Sequence, residues 1–307
     1  MKKYIIFLLF VLFLSGCKDT SQIITIPDAV FKKLLVEKYD KNNDREISEK
    51  EALKVRELNV SGTPVSSNEI TSLEGIEFFI NITKLNCSYN NLITLDISKN
   101  IQLTELLCND NTLTGLNVSN NVNLIKISCS RNIIPELDVS HNVFLETLFC
   151  YTNQISNLDV SNNANLKYFS CSYNQLTELC ISKNLRLLKL FCSDNKLTVL
   201  DISNNKELLK LFCHNNLLAV LDVTNNTELT ALSSYGNLLT EIDISKNKEL
   251  IELSCSNNKL TRLDVSNNPM LNSLFCRNNP DLTTIYMKKE QEIKIFRKNN
   301  HSDIVYN

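Results

Sequence analysis

The stretch LTELLCNDNTLTGLNVSNNVN, Leu103 to Asn123, returns further along the chain as LIELSCSNNKLTRLDVSNNPM, Leu250 to Met270. Between and around these two, the frame L-x-x-L-x-C-x-x-N-x-L-x-x-L-D-V/I-S-x-N-x-x repeats every 21 residues. Its cysteines are Cys87, Cys108, Cys129, Cys150, Cys171, Cys192, Cys213, Cys255 and Cys276, with Ser234 filling the one gap. Nine full copies run from Ile82 to Met270, and a partial tenth begins at Leu271. A period this strict means identical short coils stacked into a rod. Stacked coils make long surfaces for binding and poor pockets for chemistry.

Within one coil, Glu105 to Asn109 alternates sides as a strand requires, so Leu106 and Cys108 point inward while Glu105, Leu107 and Asn109 face out. Stacking pairs such strands into one parallel sheet at about 4.8 Å spacing. The second half, Leu116 to Ser119, is extended and buries Leu116 and Val118 on the opposite wall. Twenty-one residues leave no room there for a regular helix. Asparagines mark both corners: Asn111 and its equivalents at one, Asn121 and its equivalents at the other. An amide side chain can serve stranded backbone donors and acceptors in a tight turn. The expected fold class is an α/β solenoid, strand-dominated: a right-handed superhelix with a parallel concave sheet, a small helical N-terminal cap and a β C-terminal cap. The ladder cysteines are expected as reduced, packed thiols, because equivalent side chains on parallel strands point the same way rather than towards each other.

The frame resembles bacterial leucine-rich-repeat surface proteins with 21-residue coils and a cysteine ladder, of the internalin J type. The resemblance covers nearly all of the chain beyond its start. It implies a protein-binding or adhesion module working through the concave face, with no enzymatic activity. Two other readings stay open: a glycan-binding surface protein, and a structural envelope component without an exchangeable ligand.

The first 16 residues, two lysines and an apolar run of about a dozen, read as a secretory signal too short to span a bilayer comfortably. Leu14-Ser15-Gly16-Cys17 resembles the bacterial lipobox, which implies lipidation of Cys17 and a cell-envelope location, membrane-anchored at the outer membrane or cell surface. Residues 17–24 would be a tether. Removing Lys2 and Lys3 takes the net charge from −2 to −4, which gives no reason to expect nucleic-acid binding. A monomer is the simplest expectation for a capped rod.

Residues 25–81 read as a helical cap with an irregular first coil. Asp28 is a candidate N-cap for a helix burying Val30, Phe31, Leu34, Leu35 and Tyr39. The following segment, Asp40 to Glu51, resembles a twelve-residue EF-hand loop. Asp40, Asn42 and Asp44 stand at ligand positions one, three and five; Glu46 offers its carbonyl at seven, Ser48 stands at nine and Glu51 at twelve. Arg45 departs from the glycine of position six, where a left-handed turn costs a side chain about 1–2 kcal/mol. The expectation is a weak structural calcium site; the alternative is a polar helix–loop–helix that only caps the rod. Residues 82–287 are the repeats and 288–307 the C-terminal cap, where Ile293, Ile295, Ile304 and Tyr306 suggest strands folding over the last coil.

On the concave face, the position between each inward Leu and Cys includes Phe149, Phe191, Phe212 and Phe275. Tyr151 and Tyr168 are outward neighbours, as are His214 and Tyr235. Phe149, Tyr151, Tyr168, Phe191, Phe212 and Phe275 are the candidate ligand-binding surface, since exposed aromatics mark recognition sites. The alternative is that these rings stack between strands and stabilise the sheet. On the convex side, Asp96 and its equivalents are expected to accept backbone N–H groups in their own turns, with Cys180 a drifted member of that column. None of the three histidines, His141, His214 and His301, is expected to meet a serine, cysteine or acid partner suited to catalysis.

Overall fold

The computed structural model describes residues 21–65 and 69–307. Residues 1–16, read as the signal, and residues 17–20 of the expected tether, Cys17 among them, lie outside the described residues.

A single twelve-stranded parallel sheet runs the length of the molecule, with its strands in strict chain order from Glu57–Asn59 to Ile295–Arg297. The register is one coil per step: Glu105 lies opposite Lys126, Leu106 opposite Ile127, Leu107 opposite Ser128. Each strand of the repeats is only three residues long and its central residue is buried. In the coil that begins at Leu103, the side chains of Leu103, Leu106, Cys108, Leu113, Leu116 and Val118 are all buried. At about 1.5–3 kcal/mol per fully buried apolar side chain, these six supply the coil's cohesion. They do so only between two neighbouring coils, which is why the ends need caps.

The nine ladder cysteines are buried and free. Each thiol is a small packed group, and some bond weakly to the next coil, as Cys150 Sγ does to Ser170 O at 3.5 Å. Cys180 is free and exposed. It keeps the turn of the aspartate column, its sulfur 3.4 Å from Ser182 Oγ. The aspartates behave as the Asp-x-Ser sequence requires: Asp138 Oδ1 accepts from Ser140 N–H at 2.8 Å and Asp159 Oδ1 from Ser161 N–H at 2.8 Å.

The two asparagine ladders work differently. In the first, Asn132 Nδ2 donates to Cys108 O and Cys129 O, both at 3.0 Å, while its Oδ1 accepts from Leu113 N–H at 3.0 Å. In the second, Asn163 Nδ2 donates to Val139 O at 3.0 Å and Asn142 O at 2.9 Å. Its Oδ1 has no protein donor, and the same holds for Asn100, Asn121, Asn142, Asn184, Asn205, Asn226, Asn247 and Asn268. So the donor-and-acceptor role expected of both ladders belongs to the first alone.

A third ladder was not visible beforehand. The residue preceding each asparagine of the first ladder has positive φ: Tyr89, Asp110, Arg131, Thr152, Tyr173, Asp194 and Asn215 lie between 52° and 58°. Only one position in this column, Gly236 at 65°, carries a glycine. The chain turns here while its N–H groups stay bonded to the next coil, as Tyr89 N–H does to Asn109 O at 2.9 Å and Thr152 N–H to Ser172 O at 2.9 Å. The inter-coil hydrogen bonds outweigh the left-handed penalty of about 1–2 kcal/mol per residue.

At the N-terminus, helix α1 (Ala29–Tyr39) is capped by Asp28, whose Oδ1 accepts from Val30 and Phe31 N–H. Its Oδ2 accepts from Thr71 N–H and Oγ1, which ties the helix to the first coil. Phe31 and Leu35 are buried, Leu34 and Tyr39 partly so, but Val30 is exposed. A short second helix, α2 (Glu49–Ala52), follows the loop. At the other end the tail closes the rod by continuing to wind. Ile295–Arg297 pairs with Ser273–Phe275 as the last strand of the main sheet. Thr284–Met287 and Asp303–Tyr306 join Arg262–Asp264 in a three-stranded parallel sheet on the opposite wall. Phe296 and Ile304, rather than Ile295 and Tyr306, pack on the core. Gln291 replaces the next asparagine of the second ladder, its Nε2 donating to Val265 O and Asn268 O.

Candidate functional site

The outward face of the main sheet divides by residue type. Near the N-terminal end its first column alternates sign, and the charges pair: Lys84 Nζ reaches Glu57 at 2.7 Å and Lys126 Nζ reaches Glu105 at 2.8 Å. Further along, the column becomes Tyr168, Lys189 and Lys210, on consecutive strands in register. Lys189 Nζ sits 5.4 Å from the centre of the Tyr168 ring, a cation–π distance. Lys210 has no ion-pair partner among the described residues.

Beside the two lysines lies the aromatic centre of the face. Phe191 and Phe212 are register partners, and their rings meet edge to face, 5.1 Å apart at 79°. Phe212 lies 6.4 Å from the His214 ring, which stacks on Tyr235 at 4.3 Å and 12°. Four rings from three adjacent coils therefore form one contiguous, half-buried surface. Such pairs contribute about 0.5–1.5 kcal/mol beyond area burial, which stabilises the sheet.

The six residues expected as one stripe are not all brought together. Phe191 and Phe212 touch. Tyr168 joins them through Lys189. Phe149 and Tyr151 share one coil and are separated from Phe191 by the coil of Ser170, which is buried. Phe275, 37% exposed, lies beyond Ser233 and Ser254. The contiguous site is Tyr168, Lys189, Phe191, Lys210, Phe212, His214 and Tyr235.

His214 corrects the expectation that no histidine meets partners. Its Nδ1 lies 2.9 Å from Ser193 Oγ and 3.3 Å from Ser233 Oγ, and its Nε2 lies 3.5 Å from Asp194 Oδ2. Burial pushes the imidazole pKa down and the Asp194 charge opposes it, with a net lowering. A neutral ring accepting at Nδ1 from Ser193 Oγ–H fits these distances, while Asp194 Oδ2 lies near Nε2 without a hydrogen bond. The set resembles a nucleophile–base–acid arrangement, yet it is built to hold the ring. Ser193 is 2% exposed, and nearby backbone N–H groups are spent: Ser193 on Ser172 Oγ, Asp194 on His214 O and Ser234 on Ser254 O. The register could have revealed the set, since residues 19 to 21 apart face each other across neighbouring coils.

In the cap loop, Arg45 adopts the left-handed conformation of a position-six residue, φ 67°. Asp40 accepts from Asn43 and Arg45 N–H, Asn42 Oδ1 from Asp44 N–H, and Asp44 Oδ1 from Glu46 N–H. Carboxylate and amide oxygens so bonded retain lone pairs for a hard cation. Glu51 departs most. Lys41 N–H donates to its Oε1, while Ser48 N–H and Oγ–H donate to its Oε2, in a capping box. Burial pushes this carboxyl up, and those donors outweigh it and hold it below the usual range. Glu46 turns its carboxylate to Lys32, with Nζ 2.6 Å from Oε2. Among the described residues no three acidic, histidine or cysteine side chains converge as a ready metal cage.

No family model and no curated protein matches the chain. Solved structures do. The functional domain of InlJ from Listeria monocytogenes, described as including a cysteine ladder, is 29% identical, over 92% of this chain and 72% of that one, with a TM-score of 0.73. An internalin, InlF, from the same species is 21% identical over 91% and 95% of the two chains, TM-score 0.65. A leucine-rich-repeat protein of Leptospira interrogans is 21% identical over 78% and 74%, TM-score 0.62. The fold is thus the leucine-rich-repeat solenoid, with a cysteine ladder as in InlJ. Solenoids of this class serve generally as protein-interaction modules. Among the described residues no helix is long and apolar enough to cross a membrane.

Proposed function

We propose that this chain is a non-enzymatic, cell-envelope lipoprotein that binds a partner protein through the concave face of its sheet, in an adhesive role. One observation carries the reading: the contiguous rings of Phe191, Phe212, His214 and Tyr235 on an outward sheet face, where core packing makes no demand for aromatics. Aromatic anchors in that setting dominate protein recognition. Lipidation at Cys17 would hold the helical cap towards the membrane and the aromatic coils away from it. Calcium at Asp40, Asn42, Asp44, Glu46, Ser48 and Glu51 would stiffen the cap in a weak, structural role.

The test is capture of surface proteins from bacterial or host-cell extracts, comparing the chain with a Phe191→Ser/Phe212→Ser variant of unchanged circular dichroism. The variant should lose the captured partner. Equal capture by both refutes the face. Selective retention on a glycan array, with no protein captured, would replace the protein partner by a sugar.

A further inference from the structure

Two lysines stand where this sheet elsewhere places a neutralised pair. Lys189 and Lys210 are direct register partners on neighbouring parallel strands, which sets their backbones about 4.8 Å apart. Like charges facing each other across a strand pair are unfavourable. The N-terminal coils avoid this by alternating Glu57, Lys84, Glu105 and Lys126, with bridges of 2.7 and 2.8 Å. Here the flanking positions in register are Tyr168 and Ala231, and neither lysine has a carboxylate partner among the described residues. The next cation, Lys167, is bridged by Glu146 at 2.9 Å, so that acid is already taken. The two positive charges border the edge-to-face pair of Phe191 and Phe212 directly, two residues along the same strands.

We propose that this part of the face takes an acidic segment of a partner protein, in which an Asp or Glu lies beside a bulky apolar side chain. The inference rests on the concave-face reading above and adds the partner's chemistry. The carboxylate would neutralise the Lys189–Lys210 pair, and the apolar group would cover Phe191 and Phe212. Complementary charge at such a rim sets association rate and excludes cationic competitors. A polypeptide fits better than an acidic sugar. The centre of the patch is phenylalanine, which has no atom to hydrogen-bond a ring of hydroxyls, and one Phe face is already occupied by its neighbour's edge.

The experiment pans a random linear peptide library at low ionic strength on three immobilised proteins: the chain, Lys189→Glu/Lys210→Glu and Phe191→Ser/Phe212→Ser. Circular dichroism melts first establish that all three are folded. The chain should enrich peptides with Asp or Glu next to an aromatic or aliphatic residue. Synthetic versions should bind the lysine variant at least about tenfold more weakly, with a matching loss in high salt. Neutral or basic winners, or equal affinity for the lysine variant, would overturn the acidic partner. If the phenylalanine variant alone loses the peptides, the face survives and this inference falls. If no peptide is enriched on any protein, both fall. Lysine-dependent binding of a carboxylated polysaccharide, with no acidic peptide enriched, would overturn the protein partner.

Discussion

Raising the pH from about 9 towards 10 should unfold the rod, because unfolding releases its cysteine ladder to ionise. Burial pushes Cys87, Cys129, Cys171, Cys213 and Cys276 up to about 12. It holds Cys108, Cys150, Cys192 and Cys255 well above the ordinary thiol value, and neighbouring thiols add to the effect. In the unfolded chain the same groups ionise near about 8.5. A folded-state value raised above the unfolded one contributes in full below the unfolded pKa and is lost as pH climbs towards the folded one. Between about 9 and 12, each thiol therefore costs about 1.4 kcal/mol of stability per pH unit. Nine buried thiols give a slope on the order of 12 kcal/mol per unit. That matches the whole net stability of an ordinary domain, about 5–15 kcal/mol. Tyr39 and Tyr235, also raised by burial, act in the same direction. The assay is urea unfolding followed by circular dichroism, in steps of about half a pH unit across that window. A Cys129→Val/Cys171→Val variant supplies the comparison and should flatten the slope by about two-ninths. Native ellipticity at a pH where thiolate absorbance has fully developed would refute the argument, since the sulfurs would then ionise inside the fold.

Three further outcomes follow from the coil geometry. Thr152→Gly, at a β-branched residue with φ 56°, should raise stability by about 1 kcal/mol in urea midpoint measurements; a loss would mean the left-handed conformation carries no strain there. Asn163→Ala removes one of two donors to each of Val139 O and Asn142 O, which keep the backbone N–H groups of Asn142 and Leu145, and should cost about 1–3 kcal/mol. Asn162→Ala, whose amide makes one exposed bond to Ser140 O, should stay within about 0.5 kcal/mol by the same measurement. Millimolar calcium should raise the melting temperature of the chain by a few degrees and leave Asp40→Asn/Glu51→Gln unmoved, read by scanning calorimetry; equal shifts in both proteins would remove the cap site.

The coil itself was legible because a 21-residue period exposes which positions keep their polarity: the equivalents of Leu106, Cys108, Leu116 and Val118 recur as apolar, with Ser234 the exception in the cysteine column, and these four prove buried. The left-handed column was not legible. Tyr89, Arg131 and Thr152 have no local preference for positive φ, and hydrogen bonds from the next coil impose it. The tail hid for a related reason. Ile295–Arg297 follows Ser273–Phe275 by one residue more than the period, so the frame dissolves although the winding continues. Of the aromatic face, the phenylalanines were readable as outward residues. Which of them touch depended on the serines between, and the partners of His214 depended on neighbours a full coil away. The EF-hand-like loop showed its spacing in sequence, whereas the capping box that occupies Glu51 needed the second helix in place.

The second asparagine column ends in a different residue, Gln291, which makes the same two donations with one more methylene of reach. Growth and termination of the spiral are thereby separable. A gene could gain or lose a 21-residue unit anywhere upstream, and both closures would meet the same partners as before. Size would then be free to drift in evolution by whole steps while the ends stayed fixed. Each added unit would carry whatever outward side chains its parent displayed, so duplication alone could widen the landing area for a binding partner.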